Sequence, residues 1–168
     1  MGGVIRVRST PGQGSTFELR LPWVDVAAPA PQAPVAASAS PAPRRLAGTR
    51  VLVAEDNDVN QLVLERALEI EGADVTIVGD GRQAVNRVLA DGRAAFDIVL
   101  MDIQMPEMDG YEATRRILEL APDLPVIGQT AHAMQDERRD CLAAGMVDHI
   151  AKPIDFRQLV DMIERHLA

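Results

Sequence analysis

From Arg50 onward, short apolar runs alternate with stretches of helical period. Val51-Leu52-Val53-Ala54 gives out at Glu55-Asp56, and the pattern then changes to one of 3.6 residues. Val63, Ala67 and Ile70 share a predicted helix face with Leu64 and Leu68, and Gly72 is a fitting stop. Ala73–Val78 reads as a second strand, followed by a helix over about 82–91 with Asp80 near its cap. Asp97-Ile98-Val99-Leu100-Met101-Asp102 is a third apolar run; a helix to about Leu120 follows Asp109-Gly110. Pro125–Thr130 is a fourth, leading to a helix over about 135–144 that Gly145 ends. The fifth, Val147–Ala151, reaches Lys152-Pro153. A last helix opens with Asp155 as N-cap and Gln158 three residues on, and buries Phe156, Val160, Ile163 and Leu167. Five such β–α units predict an α/β fold, a five-stranded doubly wound parallel sheet.

The first 49 residues follow other rules. Val4–Arg8 and Ser15–Leu21 alternate in polarity, and Thr10-Pro11-Gly12-Gln13-Gly14 between them is a turn signal, so residues 1–26 hold a β-hairpin. Two strands alone are marginal in water, which makes this hairpin a remnant of something larger. Residues 27–49, rich in Ala and Pro without amphipathic period, read as a linker stiffened toward polyproline II. The globular domain is then 50–168.

Charge sharpens this division. The formal net charge of −8 is the balance of about +4 over residues 1–50 and about −12 over the rest. An acidic globular part argues against direct nucleic-acid binding, which needs a basic footprint. It suits a cation site or a basic partner. Cys141 is the single cysteine, so no disulfide framework exists and a reducing, cytoplasmic setting is expected. No apolar run approaches the ~20 residues that span a bilayer, and the N-terminus lacks a signal-peptide layout.

The strand ends carry the chemistry. Glu55-Asp56, Asp102, Thr130 and Lys152 each close an apolar run, and Lys152 is the only lysine in a chain whose other basic residues are all arginine. In open parallel sheets, ligands sit beyond the carboxyl ends of the strands. If the first and third strands are neighbours, three carboxylates crowd together. Two charges ~5 Å apart at an effective dielectric of 20 repel by roughly 3 kcal/mol, so a cation is required. Lys152 supplies one charge. Oxygen-only ligands with positions open to water and phosphate suit Mg²⁺ better than zinc. A carboxylate placed beside a metal, a hydroxyl and a lysine can act as a nucleophile toward a phosphoryl group. Asp97, Asp109 and Asp148 read as strand entry, helix cap and turn.

The matching stretches are Val53-Ala54-Glu55-Asp56-Asn57 with Asn60, Leu100–Gly110, Thr130–Met134, Gly145-Met146 and Lys152-Pro153. In these, residues 50–168 resemble the receiver domains of bacterial two-component systems, especially those fused to hybrid histidine kinases. The resemblance implies a flavodoxin-like fold, with Asp102 as phosphoacceptor. Asp56 would bind Mg²⁺ directly and Glu55 through water, and the Gln104 carbonyl would complete the protein ligands. Thr130 and Lys152 would hold the phosphoryl oxygens, and the Lys152-Pro153 peptide would be cis. Where the family often places Tyr or Phe as the threonine's rotameric partner, this chain has His149. The partners implied are the phosphohistidine domain of a kinase and a histidine phosphotransfer protein.

Residues 1–9 and Pro11–Phe17, ending at Leu21-Pro22, resemble the last hairpin of a histidine-kinase ATPase domain. That family's glycine boxes and nucleotide-contacting asparagine are missing, so ATP binding is not expected. The implied parent is a kinase, with linker and receiver following, and it is a candidate for membrane anchoring. His132 and His166 are expected to be solvated. A haloacid-dehalogenase-type phosphatase would want Asp two residues past Asp102, where Gln104 stands, and a flavin module would want a phosphate loop after the first strand. The remaining alternative is a receiver-like domain used for docking or autoinhibition without phosphorylation.

Overall fold

The computed structural model describes residues 4–10, 12, 14–20, 44–131 and 135–167. The chain divides into two units, 1–40 and 41–168. In the first, β1 (Val4–Thr10) and β2 (Gly14–Arg20) pair antiparallel, with Ile5 opposite Leu19 and Val7 opposite Phe17. These are the predicted strands, each carried further toward the turn. Ile5, Val7, Phe17 and Leu19 share one face and are exposed. Pro11, Gln13 and most of the expected linker lie outside the described residues.

The second unit has five strands: β3 (Arg50–Ala54), β4 (Asp74–Val78), β5 (Ile98–Asp102), β6 (Val126–Thr130) and β7 (Asp148–Ala151). Their order across the sheet is β4-β3-β5-β6-β7, all parallel. The helices α1 (Asp58–Ile70), α2 (Gly81–Asp91), α3 (Gly110–Leu120), α4 (Gln135–Ala143) and α5 (Phe156–Leu167) connect and follow them. Strand alternation divides the core between two faces. Val51, Val53, Leu100, Ile127 and Ile150 pack with Leu64, Leu68, Leu159 and Ile163. Leu52, Val99, Met101 and Val126 pack on the other face with Val88, Ala113 and Ile117. β3 and β5 are both fully covered past Arg50, as their unbroken apolar runs require.

Caps set the helix starts. Asn57 accepts from the Val59 and Asn60 N–H groups, Asp80 from Gln83, and Asp109 from Glu112. Asp155 accepts from the Arg157 and Gln158 N–H groups, as its predicted role requires.

Two predicted helix faces are narrower than the apolar pattern implied. On α1, Leu64 and Leu68 are buried while Val63 and Ile70 are exposed. On α5, Leu159, Val160, Met162 and Ile163 are buried, and Leu167 at the last turn is exposed. Each helix lies on one flank of the sheet, so only residues aimed at the strands are covered.

Residues 44–49, the end of the expected linker, pack on this unit. Leu46 is 1% exposed. Its N–H donates to the Glu71 carbonyl (2.9 Å), and Arg45 reaches Asp161 (2.6 Å) and Glu164 on α5. His166, expected in solvent, is largely covered and lies 3.5 Å from Asp148 Oδ2. His132 lies outside the described residues.

Candidate functional site

The pairing of β3 with β5 places Glu55 and Asp102 side by side at the carboxyl end of the sheet. Glu55 is fully buried and Asp102 is 5% exposed, whereas Asp56 is open to solvent. One ligand oxygen from each of the three lies within 4.8 Å of the others. A hard divalent ion fits such a set, with two walls of protein and one side open.

Lys152 enters from the far side of the sheet. Its Nζ donates to Asp102 Oδ2 (2.5 Å) and to Glu55 Oε2 (2.7 Å). The Lys152-Pro153 peptide is cis, as expected. The second oxygen of each carboxylate has its own partner. Asp102 Oδ1 accepts from the Gln104 N–H (3.1 Å), and Glu55 Oε1 from Asn60 Nδ2 (2.9 Å). Burial pushes the Asp102 carboxyl above its ordinary value, against the opposing pull of Lys152 and the Gln104 N–H. For Lys152 burial works downward, but the hydrogen bonds it donates to Asp102 and Glu55 together outweigh it, and the ammonium is shifted upward.

Thr130 ends β6, 1% exposed, and its carbonyl accepts from the Lys152 N–H (2.7 Å). Its register partner on β7 is Ala151, while His149 pairs with Gly128 two residues lower. His149 therefore lies diagonally from Thr130, with Nδ1 3.8 Å from Asp148 Oδ1. Gln104 is exposed just past the strand.

Supporting residues went without an assigned role in the sequence. Asn60 fixes Glu55 from the first turn of α1, and Gln61 Nε2 donates to the Glu55 carbonyl (2.6 Å). Their signal was an amide pair one helical turn past the acidic dyad. Gly110 starts α3 so close to β5 that a Cβ there would meet the Asp102 carbonyl at 2.2 Å. Beside Lys152, a groove of about 500 Å³ runs between α1 and the start of α5, lined by Glu55, Asn60, Val63, Leu64, Ile154 and Phe156 among others. Val59, Leu62 and Val63 are exposed on α1.

Among known proteins, the sensor protein GacS of Pseudomonas syringae pv. syringae is 44% identical over 119 residues, 68% of this chain and 13% of that protein. The sensor protein EvgS of Escherichia coli K12 is 34% identical over 171 residues, matching 100% of this chain and 13% of its own length. The chain thus spans about an eighth of these relatives. The crystal structure of the receiver domain of sensor histidine kinase PA1611 from Pseudomonas aeruginosa PAO1 is 44% identical, with TM-score 0.64, covering 72% of this chain and 98% of that one. It holds a magnesium ion in its active-site cleft. The receiver domain of Saccharomyces cerevisiae Ssk1, solved with the histidine phosphotransfer protein Ypd1, is 27% identical with TM-score 0.63, covering 68% of this chain and 86% of that one. Residues 51–164 match the model for the response regulator receiver domain, and the chain belongs to that family of two-component signalling domains.

Proposed function

We propose that this domain is a phosphorelay receiver whose phosphoacceptor is Asp102. The observation that carries the reading is the single lysine bridging two buried carboxylates, Asp102 and Glu55, with Asp56 open beside them. An Asp102 oxygen attacks the phosphorus of a phosphohistidine. The P–O bond forms as the P–N bond breaks, and the imidazole leaves with the electron pair and takes up a proton.

Glu55, Asp56, Asp102 and the Gln104 carbonyl would hold Mg²⁺, and their all-oxygen chemistry fits that ion. When bound, it supplies neutralisation of charge on the transferring phosphoryl group. Lys152, freed from Asp102 Oδ2, meets a phosphoryl oxygen with its point charge, and the Thr130 hydroxyl meets another. His149 then senses the movement of Thr130. The group is passed to a histidine phosphotransfer protein or lost to water.

The donor docks over α1, where Val59, Leu62 and Val63 offer apolar contact beside the groove that opens on Lys152. The Ypd1 complex of the Ssk1 receiver supports such a partner. Residues 1–26 are the end of a kinase ATPase domain and 27–43 the connection to the receiver, on which residues 44–49 already pack. The EvgS match along the whole chain supports that order. No helix among the described residues is long and apolar enough to cross a membrane.

Intact mass after incubation with acetyl phosphate and Mg²⁺ tests the assignment. A single Mg²⁺-dependent phosphoryl adduct, absent in Asp102→Asn, is expected. No adduct from acetyl phosphate or from a phosphohistidine donor would replace it with a docking domain that works without phosphorylation.

A further inference from the structure

Gln129 is 0% exposed, yet neither its Nε2 nor its Oε1 has a hydrogen-bond partner. Among the described residues it alone has buried side-chain polar atoms in that state. A buried amide left unpaired costs folding free energy that leucine or methionine would not, since either fills much the same volume. Its place in the sheet suggests what the amide is for.

Gln129 is the register partner of Asp102 on β5 and of Ile150 on β7. Paired residues of parallel strands point to the same face. Leu100, Ile127 and Ile150 all pack in the core shared with α1 and α5, which fixes that face. Glu55, Asp102 and Gln129 therefore stand in one row across β3, β5 and β6. Lys152 follows Ile150 by two residues, and β6 lies between β7 and β5. Because Nζ nonetheless bonds Asp102 Oδ2, the lysine side chain reaches from beyond β7 to β5 past the carboxyl end of β6, the strand that carries Gln129. An ammonium has three N–H donors, and two of them are taken by Asp102 and Glu55.

We propose that Gln129 is a positioning residue for the phosphorylated state: its amide oxygen accepts a hydrogen bond from Lys152 once that lysine leaves Asp102 Oδ2 for the phosphoryl group. The inference rests on Asp102 being the acceptor. A group unpaired in one state and paired in the other biases the equilibrium toward the second. Gln129 thus destabilises the resting domain and lengthens the life of the aspartyl phosphate.

The test compares wild type, Gln129→Leu and Gln129→Met, each incubated with acetyl phosphate and Mg²⁺. Adduct decay is followed by intact mass after the donor is removed, and Tm is measured for resting and phosphorylated protein. Both variants are expected to melt higher than wild type at rest and to lose the phosphoryl group roughly ten- to a hundredfold faster, the worth of one charge-assisted hydrogen bond. The rise in Tm on phosphorylation should shrink in both. Because Lys152 is the only lysine, ¹⁵N-lysine labelling gives one ammonium signal. In the phosphorylated state its exchange with water should quicken when the amide is removed. Unchanged decay, with an unchanged Tm rise on phosphorylation, would overturn the proposal and leave Gln129 a core residue satisfied by internal water. If only one variant folds, that variant decides. A wild type that takes no phosphoryl group overturns this inference together with the reading on which it rests, whereas a wild-type adduct with indifferent variants overturns this inference alone.

Discussion

Lys152 Nζ lies 2.5 Å from Asp102 Oδ2 and 2.7 Å from Glu55 Oε2, so one ammonium is shared between two carboxylates that water barely reaches. Removing it in Lys152→Met leaves those charges facing each other at low exposure. A loss of about 3 kcal/mol is expected at neutral pH, since breaking a buried pair strands its partner. The raised Lys152 pKa means its stabilising contribution is fully present below 10.5, its unfolded value, and fades only as pH rises through the higher folded value. Urea denaturation at pH 7 checks the loss. A deficit under 1 kcal/mol would show that the carboxylates find other compensation. Phosphorylation by acetyl phosphate should slow on the order of a hundredfold in the same variant, as for loss of one preorganised donor.

Asp102→Asn should do the opposite to stability. Burial dominates at Asp102 and holds its folded pKa above the unfolded 3.8. The acid therefore favours folding relative to asparagine only in its protonated form, and that advantage is lost as pH rises through the folded pKa. At pH 7 the variant should melt several degrees higher than wild type, with Lys152 still paired to Glu55. Below pH 3.8 the gap should close. Thermal melts across pH 3–8 check this; a variant less stable at every pH would mean that the Lys152 pair outweighs the desolvation.

The apolar runs made the sheet legible because each buried strand must be apolar on both faces, and the residues that break the runs are the site itself. Glu55, Asp102, Thr130 and Lys152 could be found because their types are improbable continuations of Val, Leu and Ile. Gln129 escaped notice for the converse reason. It lies inside the run that reads through to Thr130, so it passes as one more strand residue and its buried amide goes unmarked. Helix faces were overread at Val63 and Ile70, since spacing alone does not say which flank of a wide apolar stripe meets the sheet. Leu46 was hidden by its proline-rich neighbours, and its burial in the core and the contact to Glu71 show that it belongs to the domain.

Gly110 should tolerate no side chain. A Cβ there would stand 2.2 Å from the Asp102 carbonyl oxygen and 2.9 Å from Ile103 Cα, both backbone atoms that cannot rotate away. Gly110→Ala must push α3 off β5 or shift the acceptor strand. Overpacking of this kind costs about 1–3 kcal/mol, and here it falls on the residue that carries the proposed nucleophile. Lower Tm with slower phosphorylation is expected, read by calorimetry and intact mass. Gly128→Ala is the contrast: its nearest neighbours are Met146 Sδ at 2.7 Å, Cys141 Sγ and Ile103 Cδ1, all side-chain atoms rather than backbone. The alanine at 128 should cost less than the alanine at 110, and the reverse order would mean that α3 moves more easily than the Met146 side chain.

Leu46 tests where the domain begins. At 1% exposure it packs in the core beneath α1 and α5 although it precedes the first strand of the sheet. Truncation to alanine removes buried methyl groups and leaves a cavity, for which about 2–4 kcal/mol is expected. Arg45→Ala should act differently. Its forked pairing with Asp161 and Glu164 is at the surface, where salt screens such contacts. That variant should lose less stability, and the deficit should fall in high salt while the Leu46→Ala deficit does not. Hydrogen exchange separates the two further. Protection at the Leu46 N–H, which bonds the Glu71 carbonyl, should match that of the sheet in wild type and fall toward free-chain rates in Leu46→Ala. An exposed-linker rate at that amide in wild type would place the start of the folded domain at Arg50 after all.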